Sequence, residues 1–219
     1  MRTLLVLSLV LAGCSDSNNN TTVDAPPPAI DAPAATPPLA LDCNTYCTHL
    51  AADCMTTNTQ IAAANCMGTC AAFPPGTQAD TSGNTLGCRN YHLQNIEVRG
   101  MSATTHCPHA GPVGGLIAPG STEVCGTSPC ADFCAMEAKV CGTDAAQVAG
   151  VTNRYTDVNA CMTACGTFAM TPEASPTVTS GNTFACRIYH LTNAAAQTTA
   201  AATNTHCGHT LAVATAVCM

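Results

Sequence analysis

The sequence predicts a mainly α-helical protein: two tandem, disulfide-stapled small helical modules behind a disordered tether. Three observations predict it. Sixteen of the 17 cysteines lie after residue 42. The spacing of the first eight of these is echoed by the second eight. Many of them stand four residues apart, one helical turn, and no stretch shows convincing strand alternation.

The elements follow in chain order. Met1 and Arg2 give a positive start, and Thr3 to Ala12 form an apolar run of ten residues. That run is too short to span a bilayer and has the build of a secretory signal core. It ends in "LAGC", Leu11 to Cys14. This resembles the lipobox of bacterial prolipoproteins. The resemblance implies cleavage after Gly13, a diacylglycerol on the Cys14 thiol and an acylated new N-terminus, with palmitate among the expected chains. Several chains anchor firmly, since each buried methylene contributes about 0.8 kcal/mol. Residue 15 is Ser; the resemblance implies that an Asp there favours inner-membrane retention, so the expected location is the outer membrane. Residues 1–13 are thus read as a lipoprotein signal peptide. Residues 14–42, rich in Asn, Pro, Ala and Thr, are read as a lipid-anchored tether with too little apolar surface to offset its ordering entropy.

Residues 43–219 carry 16 cysteines but only 24 Leu, Ile, Val and Phe, and no Trp. So thin an apolar complement suits a chain held by disulfides in an oxidising compartment. Eight intramolecular bridges are expected, with no thiol to spare. The cysteines at 43, 47, 54, 66, 70, 88, 107 and 125 form one set, and those at 130, 134, 141, 161, 165, 186, 207 and 218 the other. "TSGNTLGCRNYHL" (81–93) matches "TSGNTFACRIYHL" (179–191) at 10 of 13 positions, and "THCPH" matches "THCGH". This is an internal duplication, which divides the chain into modules at 43–126 and 127–219. Each is small enough to need staples.

Within the modules, Cys43, Cys47 and Cys54 fall on one helical face. Cys66/Cys70 and Cys161/Cys165 stand one turn apart. Ser128, Pro129 and Gly142 supply a cap, a first-turn proline and a stop. A third helix is expected from about Ser82 or Ser180. On it Cys88, Tyr91, His92 and Asn95 form one stripe, repeated by Cys186, Tyr189, His190 and Asn193, with Leu86 and Leu93 roughly opposite. Two helices that each carry C-x3-C resemble an α-hairpinin. The resemblance implies the pairs Cys43–Cys70, Cys47–Cys66, Cys130–Cys165 and Cys134–Cys161. The spacing itself leaves the pairing open.

The duplication also filters candidate chemistry, because a site serving both modules should recur. Six of the seven histidines recur: His92 with His190, His106 with His206, His109 with His209. His49 does not. No Asp or Glu clearly recurs, which argues against a shared carboxylate acid/base pair; of the cations only Arg89 and Arg187 do. Three neutral imidazoles per module suit Cu or Zn. Alternatively, the histidines sit against the bridges and bond to backbone carbonyls. Cys88 and Cys107 are expected as bridge members, not ligands. C-x-x-C-H, C-x-x-C, G-x-S-x-G, the P-loop and the dinucleotide fingerprint are all absent, which speaks against covalent haem, thioredoxin-like and several hydrolytic classes. Met67 and Met162, each after a helix cysteine, are expected to fill core.

With 13 acidic and 6 basic residues, the chain lacks the basic footprint of a nucleic-acid binder, and its membrane link is the lipid alone. The mature region resembles Cys-rich predicted lipoproteins of Gram-negative bacteria that repeat "CRxYH" and "HCxH". That resemblance implies location and architecture, and no mechanism. The leading expectation is therefore a non-enzymatic envelope lipoprotein acting as a structural or interaction module with a protein or envelope partner. The alternative is a periplasmic or surface metal-binding protein that holds copper or zinc through His92, His106 and His109 and through His190, His206 and His209.

Overall fold

A computed structural model describes residues 36–54, 59–117, 123–213 and 217–219. The signal segment, Cys14 and most of the tether lie outside the described residues. Among the described residues the fold is helical, with isolated β-bridges and no strand.

The first half consists of α1 (Cys43–Cys54), a 3-10 turn (Ala63–Asn65), α2 (Cys66–Ala71), α3 (Leu86–Arg99) and α4 (Ala103–Ala110). The second consists of α5 (Pro129–Val140), α6 (Val158–Cys165), α7 (Phe184–Ala196) and α8 (Ala200–Gly208). Cys43–Cys70 and Cys47–Cys66 staple α1 to α2 in reversed order, so the two helices run antiparallel. Cys130–Cys165 and Cys134–Cys161 do the same for α5 and α6. These are the pairs that the α-hairpinin spacing implies. The remaining four bridges are Cys54–Cys107, Cys88–Cys125, Cys141–Cys207 and Cys186–Cys218. All eight close within one half or the other.

Local chemistry accounts for the helix ends. Ser128 accepts from Ala131 N–H and Pro129 opens α5. Gly142 just beyond it takes a left-handed φ of 85°. Helix α3 starts at Leu86 and α7 at Phe184, later than the expected Ser82 and Ser180. Thr85 and Thr183 are the caps, their hydroxyls accepting from Cys88 and Cys186 N–H. The preceding Gly83 and Gly181 stand at φ 85° and 90°, outside any right-handed helix.

Apolar burial is thin, as the composition requires. In the first half Tyr46, Leu50, Ile61, Phe73, Leu86 and Leu93 cluster around the bridges. In the second, Phe133, Phe168, Phe184, Ile188 and Leu191 do so, joined by Val113 and Ile117 from the first half. The halves also meet where α2 packs on α7. A Cβ on Gly68 would stand 2.2 Å from the Ala195 carbonyl oxygen, so this crossing needs glycine.

Contrary to expectation, Met67 and Met162 do not fill core; they are 48 % and 36 % exposed. Each follows a cysteine that faces the partner helix, and one residue further rotates about 100° away from it. The described residues just before α1 dock on the first half. Gln94, Asn90 and Gln78 side-chain amides donate to the carbonyls of Pro37, Ala40 and Leu39 at 2.7, 2.8 and 3.0 Å. A proline-rich strip has few N–H donors of its own, so its carbonyls are open to such amides.

A candidate metal centre in each half

Helix α3 buries two faces. Leu93 and Leu86 join the apolar cluster, while Cys88, His92 and Asn95 are buried on the other side. Cys88, one turn before His92, is bridged to Cys125. Helix α4 carries His106 and His109, and Cys107, next to His106 in the HC-x-H run, is bridged to α1 through Cys54. The second half repeats this with Cys186–Cys218 behind His190 and Cys141–Cys207 behind His206 and His209. Disulfides therefore fix both chain segments that deliver imidazoles.

The three rings of each half meet through the same atom. His92 Nδ1 lies 2.8 Å from His106 Nδ1 and 3.3 Å from His109 Nδ1. His190 Nδ1 lies 3.1 Å from both His206 Nδ1 and His209 Nδ1. His190 Nε2 is 3.2 Å from the Thr179 carbonyl, which makes it the N–H donor and leaves Nδ1 with its lone pair. His92 Nε2 is buried and faces the equivalent Thr81 carbonyl without completing a hydrogen bond. A carbonyl behind the distal nitrogen is the usual way a metal-ligating imidazole is oriented.

Burial first, then the neighbouring imidazoles His109 and His106, push His92 down to about 4 against the pull of the Thr81 carbonyl. Burial likewise takes His190 to about 4, opposed by the Thr179 carbonyl and reinforced by His209 and His206. His106, His109, His206 and His209 are all lowered, chiefly by burial. The six rings are therefore neutral at pH 7. Three neutral nitrogens at this separation suit a cation. With a metal–nitrogen length of about 2.0–2.1 Å, each separation from the His92 or His190 nitrogen is short enough for the two rings to share one ion.

Residues 39–120 match the family model described as the BfoA family C-terminal domain. The match takes in His92, His106, His109 and seven of the first eight cysteines, a little over a third of the chain. No curated protein and no solved structure matches the chain.

The other recurring residues find structural tasks around the triads. Arg89 is fully buried, stacks 3.9 Å over Phe73, and donates to the carbonyls of Gly111, Thr85 and Pro112 at 3.0, 3.0 and 3.1 Å. It thereby ties the cap of α3 to the chain just after His109. Arg187 does the same over Phe168, reaching Leu211, Thr183 and Cys218 carbonyls. Tyr91 and Tyr189 set ring edges against His92 and His190. His49, the unmatched histidine, lies apart with Glu97 at 3.1 Å and Asp53 at 3.8 Å.

Sequence reasoning missed two supports. Tyr46 O–H donates to the Ala110 carbonyl at 2.6 Å, and Tyr155 O–H to the Thr210 carbonyl at 2.9 Å. Both hold the residue after the last histidine, yet Tyr46 lies on α1 and Tyr155 in the segment before α6. They do not align in the duplication, so it could not flag them. Thr81 and Thr179 were visible as a repeated pair, but their contribution is a backbone oxygen, which side-chain identity does not advertise.

Proposed function

We propose that the protein binds one copper or zinc ion in each half, through the Nδ1 atoms of His92, His106 and His109 and of His190, His206 and His209. The observation that carries this reading is the meeting of three Nδ1 atoms, twice, on chain segments fixed by disulfides. Hydrogen bonding alone accounts for it poorly. His190 Nδ1 has a single lone pair and faces two further Nδ1 atoms, whereas a cation uses all three lone pairs at once.

We place this protein in the cell envelope of a bacterium. The lipobox at Leu11–Cys14, the Pro-rich tether and the disulfide density support a lipid-anchored protein, with the outer membrane as its site and the Cys14 lipid as its membrane link. A second reading, a structural or interaction module, draws support from the buried arginines and the bridge density, which rigidify both halves without need of metal. Elemental analysis of the oxidised protein separates the two. Two metals per chain, lost on His106→Ala combined with His206→Ala, support the metal reading. Metal-free protein that stays metal-free when offered copper and zinc, with its fold intact, leaves the structural one.

A further inference from the structure

Resting on that metal reading, we infer that each triad is a site for copper in its monovalent state, Cu(I), in preference to a divalent ion. The ligand set is wholly neutral. The two sulfurs grouped with each central histidine, Cys88 and Cys125 beside His92 and Cys186 and Cys218 beside His190, are locked in bridges and supply no thiolate charge. Among the described residues, the groups that gather within ligand distance at each triad are histidines and bridged cysteines; no Asp or Glu is among them. The buried ionisable residue one turn from each central histidine is itself a cation, Arg89 or Arg187.

Charge decides between ions in such a place. The cost of moving an ion out of water rises with the square of its charge, so a dication loses about four times what a monocation loses in the same surroundings. Imidazole nitrogen suits both copper and zinc, so the ligand type does not offset that difference. Coordination number points the same way. Zinc is almost always four-coordinate and would need a further ligand from solvent beyond the three nitrogens; a water in that place would leave its charge unbalanced. Cu(I), a closed-shell monocation, is content with three nitrogens. His92 is 5 % exposed and His106 7 %, while His109, His206 and His209 are half-buried. One side of each tripod thus stays open for a small ion to enter.

The test uses the full-length oxidised protein, shown by alkylation to hold no free thiol. Cu(I) is supplied anaerobically as its acetonitrile complex against a chromogenic Cu(I) chelator. The expected result is two Cu(I) per chain, retained against a hundredfold excess of Zn²⁺, with X-ray absorption showing nitrogen and no sulfur around the metal. His106→Asn with His206→Asn should abolish binding; should that variant misfold, the competition and the absorption spectrum of the parent protein still decide. Zn²⁺ that displaces Cu(I) at equal concentration, or sulfur in the copper shell, would overturn the preference for Cu(I) at a histidine tripod. Failure to bind either metal would overturn the metal reading itself.

Discussion

Replacing Arg89 with Lys tests whether the buried guanidinium ties the fold together behind the first triad. Arg89 bonds three carbonyls with three different nitrogens, at 3.0 to 3.1 Å, and is wholly buried. Burial pulls the guanidinium down to about 10, which leaves it protonated at pH 7. An ammonium is a compact donor without the planar fork, so it reaches one or two of those carbonyls. The Thr85 and Gly111 carbonyls keep backbone donors, Arg89 N–H and Gly114 N–H, so the Pro112 carbonyl is the one left unpaired, which costs about 1–3 kcal/mol, and the weaker stacking on Phe73 adds about 0.5–1 kcal/mol. The expected loss is about 3 kcal/mol, a large share of the roughly 5–15 kcal/mol by which domains are stable. Arg187→Lys should cost less, because its bonds are longer, 3.1 to 3.4 Å. Urea unfolding of the oxidised proteins measures both, read from the midpoint at unchanged slope. An Arg89→Lys protein within about 0.5 kcal/mol of the parent, the range of ordinary surface substitutions, would refute the reasoning.

Three further outcomes are expected. Burial pushes the Glu137 carboxyl up to about 8 from an ordinary 4.5. The folded state therefore holds a proton that the unfolded state releases, and stability should fall as pH rises from about 4.5 through about 8. Glu137→Gln should flatten that fall and leave the protein more stable than the parent at pH 9; thermal melts across pH check it. Tyr46→Phe leaves the Ala110 carbonyl without its donor and should cost about 1–3 kcal/mol, seen in denaturant melts, and should weaken metal binding in the first half while sparing the second. Removing the Cys54–Cys107 bridge by a double Ala substitution opens a loop with a sequence separation of 53. That should cost about 4 kcal/mol by chain entropy, measured by denaturation, and should loosen the helix that carries His106 and His109.

Much of this was legible because the chain states it twice. The C-x3-C pairs implied the stapled helical hairpins through their resemblance to an α-hairpinin, and the recurrence of six histidines singled out the triads before any geometry was known. Other features depend on tertiary placement that no local pattern encodes. Cys88 could have paired with Cys107 or with Cys125; spacing carries no preference between them. Arg89 and Arg187 recurred visibly, yet a fully buried arginine bonded only to carbonyls runs against the habit of its residue type. Met67 and Met162 were misjudged because apolar character was read without the direction each side chain takes from its helix. The start of α3 was misplaced because Ser82 resembles a cap as well as Thr85 does, and only the left-handed Gly83 between them decides.

The most direct test of the account is ¹⁵N NMR of the histidine side chains during titration with a diamagnetic metal, Cu(I) or Zn²⁺. The account predicts that two equivalents move the Nδ1 resonances of six histidines together while their Nε2 atoms stay protonated, with His49 unaffected. Six rings unmoved by metal, or metal bound through Nε2, would contradict it.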